Sequence, residues 1–305
     1  MNRKYTPKKM CYKGLLTVSA IMTLFFCSEV SANASAKDVH ELSEVCMNVQ
    51  RALKDYALIG MGVDYQDPKA DLNKSLKSID DHFKELKNSK LSEKLATKIF
   101  ELETSWKEIQ PQLQKEPFTQ TIMHELHEEI DEEYSDRCEK IVDELATDTG
   151  IKGEHYVIQV AQLGMESQRL AAIYLLRAWG IDDPHYDKVV KHVLDGIDNI
   201  YKELMAADEK LVSLDIKEKL KATKKEFAVF GVMTKSTTGR FMPVKAAKMA
   251  SNLFEIMQEI LHMEKELVEG SVSGYFLPIA TEGNAGGIFE KITQIVYTAR
   301  GEAIL

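Results

Sequence analysis

Residues 160–184, VAQLGMESQRLAAIYLLRAWGIDDP, form an amphipathic run closed by a Gly180 stop and a Pro184 restart, and an echo of the run lies 118 residues earlier. Gln50-Arg51 matches Gln168-Arg169, Tyr56 matches Tyr174, and Gly62-Val63-Asp64 matches Gly180-Ile181-Asp182. The register then holds without a gap through Leu72/Val190, Ile79/Ile197, Phe83/Tyr201 and Leu86/Leu204. A fixed offset kept over such a length means one module used twice. Any fold for this chain has to accommodate two copies of it.

Each copy reads as four helices. Apolar residues recur three and four apart, as in Leu42, Cys46, Val49, Leu53 and Tyr56, or Leu95, Ile99, Leu102, Trp106 and Ile109. In the first copy this spacing predicts helices over about 39–61, 68–87, 91–114 and 119–146, with Pro111 kinking or ending the third. In the second copy the helices fall at about 154–179, 184–207, 209–235 and 241–269, with Pro243 tolerated in a first turn. No period-two strand pattern competes. Short loops between helices of similar length imply antiparallel neighbours. The expected fold class is therefore all-α, two tandem up-down-up-down four-helix bundles. The expected organisation is a leader over 1–36, repeat 1 over 37–150, repeat 2 over 151–270 and a Gly-rich tail over 271–305. The break at 147–153 (TDTGIKG) separates the copies, and the tail carries a short amphipathic helix over 288–300.

The leader has the form of an export signal. Arg3, Lys4, Lys8, Lys9 and Lys13 precede an apolar stretch over 14–27 that is short for a membrane span, and Ala-x-Ala cleavage frames follow at Ala32–Ala34 and Ala34–Ala36. A lipid-modified Cys27 and a retained anchor are the alternatives. The expected location is the periplasm. The whole chain carries a formal charge of −9, and loss of a leader with five basic residues and Glu29 makes the remainder more acidic. An acidic surface argues against nucleic acid and anionic lipid as partners. Cys46 and Cys138 remain after cleavage. Cys46 lies near the start of the first helix and Cys138 near the end of the fourth, two ends that are level in this topology. Both sit on the apolar stripe, so a Cys46–Cys138 disulfide is expected inside repeat 1.

No Gly-rich phosphate loop, haem-attachment motif, nucleophile elbow or paired Glu-x-x-His signature is present. No enzyme activity and no cofactor are expected. His124 and His127 stand i, i+3 on the fourth helix beside Glu125 and Glu128, which could offer two imidazoles and a carboxylate to a metal. In an acidic helix (HELHEEIDEE) such a pair is ordinarily solvated, and no metal is expected. Met242, Met249, Met257 and Met263 read as core filling. The two Gln-Arg pairs carry more information. Gln168 falls within an apolar stripe and needs hydrogen-bond partners. Arg169 on its flank could grip a small anion bidentately. The plainer readings are surface pairs, Arg51 with Asp55 and Arg169 with Glu166.

At these residues the chain resembles the N-terminal sensor domain of type IV pilus methyl-accepting chemotaxis transducers, the PilJ-type domain, which is related to the periplasmic domain of nitrate/nitrite sensor kinases. The family hallmark reads roughly AGRQRMLSQRMAK; residues 160–172 read VAQLGMESQRLAA, with Met165, Ser167, Gln168, Arg169, Leu170 and Ala171 in agreement. Gln162 and Gly164 stand where the hallmark has its earlier arginines, and repeat 1 keeps Gln50-Arg51-Ala52-Leu53. The resemblance implies an exported, dimer-forming, ligand-sensing bundle with the ligand near Gln168, Arg169, Gln50 and Arg51. It also implies a small anionic ligand and a membrane-bound transducer or envelope protein as partners. The alternative expectation is a structural or interaction module of the envelope or pilus with no small ligand.

Overall fold

A computed structural model describes residues 34–235 and 240–275. Residues 1–33 of the expected leader and the tail helix expected over 288–300 lie outside the described residues; the last three leader positions are described, and Ala36 opens α1. Among those described, every regular element is helical: α1 (Ala36–Gly60), α2 (Pro68–Leu86), α3 (Glu93–Leu113), α4 (Gln120–His127), a π-helical stretch (Glu128–Tyr134), α5 (Ser135–Thr149), α6 (Glu154–Ala178), α7 (Tyr186–Ala206), α8 (Leu214–Thr234) and α9 (Pro243–Tyr275). None is long and apolar enough to cross a membrane.

The starts follow from local chemistry. Ser35 and Asp38 form a reciprocal capping box on α1. Asp67, Ser92, Thr119 and Ser213 each accept from the amide three residues on, satisfying one of the orphan donors at their helix start. Several boundaries differ from the sequence expectation: α1 begins at Ala36 rather than about 39, α3 at Glu93 rather than about 91, and α5 runs to Thr149, into the expected break, and three more have a clear local cause. α8 begins at Leu214, because Asp208 turns the chain by accepting from the Lys210 amide at 2.9 Å and Ser213 is the cap. α7 begins at Tyr186, because the Asp183 carboxylate holds the His185 amide at 2.7 Å and keeps Pro184 out of the helix. α9 runs through Gly270 and Gly274 to Tyr275, where a loop was expected. Extending a formed helix adds one hydrogen bond per residue fixed, which offsets the glycine penalty of about 1 kcal/mol each. Pro111 sits inside the last turn of α3, which closes at Leu113.

The two copies make the same joints. Tyr56 accepts from the Thr119 amide at 3.1 Å and packs on Phe118, ring centroids 4.8 Å apart. Tyr174 accepts from the Met242 amide at 2.7 Å and packs on Phe241 at 5.8 Å. After α1, Gly62 takes φ +65° and the Val63 amide returns to the Leu58 carbonyl at 2.9 Å. After α6, Gly180 takes φ +83° and the Ile181 amide returns to Leu176 at 3.1 Å. Both are Schellman closures that need a residue free to enter the left-handed region.

Both copies belong to one compact unit. α1 and α6 are its central helices. α1 packs on α2, α5, α4, α9 and α6, and α6 packs on α9, α7, α5, α8 and α1. Consequently α1 buries nearly every residue from Asp38 to Leu58, polar ones included. The pair runs side by side in the same direction. Near their middles Gly164 lies against Met47, and at their ends Gly60 lies under the Trp179 ring. A Cβ on Gly60 would stand 1.9 Å from that ring. Cys46 and Cys138 are bonded, with Cα atoms 5.9 Å apart, tying α1 to α5 at the level the helix lengths imply.

Candidate functional site at the seam between the copies

Each conserved-register glutamine ties the first helix of its copy to the last. Gln168, fully buried, donates to the Ala250 carbonyl on α9 at 2.8 Å and to Ser167 Oγ at 3.0 Å. Gln50, also fully buried, donates to Ser135 Oγ on α5 at 2.9 Å and reaches Asp131 Oδ1 at 3.4 Å. The amide oxygens of both glutamines are buried with no hydrogen-bond partner.

The arginines beside them cross to the other copy. Arg169 on α6 donates from Nε to Asp131 Oδ1 at 2.6 Å and from Nη2 to Asp131 Oδ2 at 3.0 Å, a bidentate pair with side chains 11% and 3% exposed. Arg51 on α1 lies over the Phe254 ring on α9, 5.0 Å from its centroid, and contacts Asp71 on α2 at 3.3 Å. Counting from the phenylalanines that pack on the repeat tyrosines, Phe118 and Phe241, Asp131 and Phe254 occupy the same place, 13 residues on in each. The two crossings are therefore equivalent, and they meet a carboxylate in one case and an aromatic face in the other.

Asp131 sits within the π-helical stretch, where the wider i→i−5 turn brings two consecutive residues, Ile130 and Asp131, onto the buried side. Two further carboxylates share the arginine. Glu166 approaches Arg169 Nη1 at 3.6 Å with its own Oε2 unpartnered. Burial pushes Glu166 up to about 8 despite Arg169, with Glu139 and Asp131 adding to the rise. Burial likewise pushes Glu139 up to about 7, partly offset by Arg169. Burial opposes the charge on Arg169, but Glu166, Asp131 and Glu139 outweigh it and hold the guanidinium firmly protonated. The cluster thus holds one ion pair, Arg169 with Asp131, flanked by two carboxyls whose protons are held to unusually high pH, Glu166 more firmly than Glu139. Glu139, with Cys46, Gln162 and Met165, also lines a crevice of about 10 Å³, room for one water.

The expected surface pairs take a different form. Arg51 pairs with Asp71, because the Asp55 carboxylate is engaged by Lys54 at 3.0 Å in a fully buried contact. Glu166 does approach Arg169, but within the seam and as the longer contact. His124 is half exposed and 3.9 Å from Glu128, and His127 is buried, 3.9 Å from Asp183 of the second copy. Burial lowers the pKa of His127. Among the described residues no group of three or more His, Cys, Asp or Glu is placed to hold a metal. Sequence reasoning missed Asp131, Ser135 and Glu139. The available signal was spacing: Asp131, Ser135 and Cys138 fall at i, i+4 and i+7, along the flank of the apolar stripe.

What the seam does chemically is hold a carboxylate in two parallel hydrogen bonds between two copies of one module. No family model matches the chain, and no curated protein or solved structure matches it.

Proposed function

We propose that this chain is an exported, non-enzymatic sensory protein, two tandem up-down-up-down four-helix bundles of PilJ-type character fused so that α1 and α6 stand as the paired first helices of a dimer. Its ligand would be a small planar anion, a carboxylate or oxyanion, that exchanges with Asp131 at Arg169. A membrane-bound transducer or envelope protein would read the outcome. The observation that carries this reading is the crossed placement of Arg169 and Arg51, each reaching from the first helix of one copy to the last helix of the other. A guanidinium at such a seam couples an anion to the relative position of the two copies. The π-helical stretch under Asp131 is an element that can change register when the carboxylate lets go.

The test is a thermal-melt panel of small anions on the native chain, Asp131→Asn and Arg169→Ala. A ligand bound by the native state alone stabilises it by mass action, by about 2.7 kcal/mol at a hundredfold excess over its Kd, and so raises Tm. The reading expects a shift that grows in Asp131→Asn, where the bidentate competitor is gone and Glu166 reaches Arg169 only through the longer 3.6 Å contact, and vanishes in Arg169→Ala.

A second reading has its own observation. Both donor arms of Arg169 are already satisfied and its side chain is 11% exposed. On that reading the seam is a structural pin, the chain is an interaction module of the envelope or pilus, and no anion shifts Asp131→Asn.

A further inference from the structure

The outer faces of the two copies differ in a way the shared fold does not require. On α8, Val229 is 47% and Val232 73% exposed, and at the start of α9 Met242 and Val244 are 46% and 49% exposed. Val229 shares a groove between α8 and α9 with Lys225, Lys245, Lys248, Met249 and Asn252 and with one acid, Glu226, so three lysines outnumber a single carboxylate there. These are large apolar side chains in water, gathered at one end of one helix pair and rimmed by three lysines, on a chain whose formal charge is −9. Apolar residues grouped and rimmed in this way mark interaction surfaces, whereas singly scattered ones do not.

The first copy provides an internal control. The N-caps Ser92 and Ser213 set the register of α3 against α8, 121 residues apart, and Phe118 and Phe241 set the last helices 123 apart. In that register Val229 corresponds to Glu108, Val232 to Pro111, Lys248 to Glu125, Met242 to Thr119 and Asn252 to Glu129. The face is apolar with a basic excess in the second copy, and in the first it carries Glu108, Glu125 and Glu129 among neutral residues such as Thr104 and Ile122. Glu129 lies near enough to Glu108 and Glu133 that, after its partial burial, these two like charges raise its pKa, so the acidic face is crowded with unneutralised charge. α3 also displays Phe100, 65% exposed, on the same line of its surface as Thr104 and Glu108.

We propose that the lysine-rimmed α8–α9 groove receives the acidic α3–α4 face of a second copy of this chain, joining copies head to tail. Lys225, Lys245 and Lys248 meet Glu108, Glu125 and Glu129, and the exposed valines gain the apolar cover that Phe100 and Pro111 can give. Such a contact is heterologous, because each copy contributes a different surface. It leaves one groove and one acidic face free at the ends of every assembly, so copies continue to add. Complementary charge patches of this kind govern encounter and register, and their pull weakens with salt.

The experiment is sedimentation velocity on the purified chain across a concentration series at low and high salt, with two charge-reversed variants. Lys245, Lys248 and Glu125 are exposed and Glu129 is half-buried, and helicity by circular dichroism checks that each variant is folded. Native chain is expected to self-associate in steps beyond a dimer, about tenfold or more weakly at high salt. Lys245→Glu/Lys248→Glu loses its groove and Glu125→Lys/Glu129→Lys loses its acidic face, so each alone is monomeric. Mixed, they form a 1:1 complex that grows no further, because the intact groove of one takes the intact acidic face of the other. Native chain that stays monomeric throughout the series overturns the proposal. So does association that neither variant weakens, or a pair of variants that fails to combine when mixed.

Discussion

Arg169 on α6 and Asp131 in the π-helical stretch hold each other across the two copies of the repeat, Nε to Oδ1 at 2.6 Å and Nη2 to Oδ2 at 3.0 Å. The pair stands where the sequence motif alone suggests an open arginine. Removing one partner of a buried pair leaves the other charge without compensation, which costs about 3–5 kcal/mol. Arg169→Ala is expected to show that loss in chemical denaturation. Asp131→Ala is expected to cost less, because Glu166 and Glu139 can ionise to replace the missing carboxylate. Equal losses in the two variants would contradict this account of the cluster.

The same cluster gives the seam a pH dependence of definite sign. The folded-state values of Glu139 and Glu166 are raised, to about 7 and about 8. Their contribution to stability is complete below the ordinary glutamate range and is lost as pH rises through those values. Tm is expected to fall between about pH 5 and 8 and to level above that. Glu166→Gln flattens the slope and is more stable than the native chain at the alkaline end. Glu264, fully buried on α9 with both oxygens unpartnered, is likewise pushed up to about 8 by burial and adds to the same trend.

Close approach of α1 and α6 depends on Gly60. Alanine is the better helix former by about 1 kcal/mol. Its Cβ, however, would stand 1.9–2.8 Å from three atoms of the Trp179 ring. Gly60→Ala is expected to destabilise by about 1–3 kcal/mol, the range for overpacking. Combining it with Trp179→Leu is expected to recover part of that loss. A stabilised Gly60→Ala would mean that the ring moves aside freely.

Cys46 and Cys138 close a loop spanning 92 positions of sequence. On the chain-entropy model such a link stabilises by about 4–5 kcal/mol. The Cys46→Ala/Cys138→Ala chain is expected to unfold at correspondingly lower denaturant, with little change in helicity before the transition.

Much of this was legible in the chain. The 118-residue echo matched Tyr56 to Tyr174, and the structure packs each on a phenylalanine at the start of the last helix of its copy, Phe118 and Phe241. The level ends of the first and fourth helices gave the disulfide. Less was legible where a local device overrides periodicity. Ser213 and Asp208 delay α8, and the π-helical stretch changes which residues of a seemingly uniform acidic helix face inward. Asp131 was missed for that reason, since in HELHEEIDEE it looks like one more solvated acid. For Arg169 the sequence offered an anion grip or a surface pair with Glu166; the group it holds is Asp131 of the other copy, 38 residues away in sequence, and spacing within one helix carries no information about that.

The most direct test of the central claim is isothermal titration of small carboxylates and oxyanions into Asp131→Asn, with Arg169→Ala as the control. If Arg169 is a sensory anion site closed by an internal carboxylate, at least one anion binds Asp131→Asn more tightly than the native chain and does not bind Arg169→Ala. No binding to Asp131→Asn by any of them would contradict the account and leave the seam as a pin between two interaction modules.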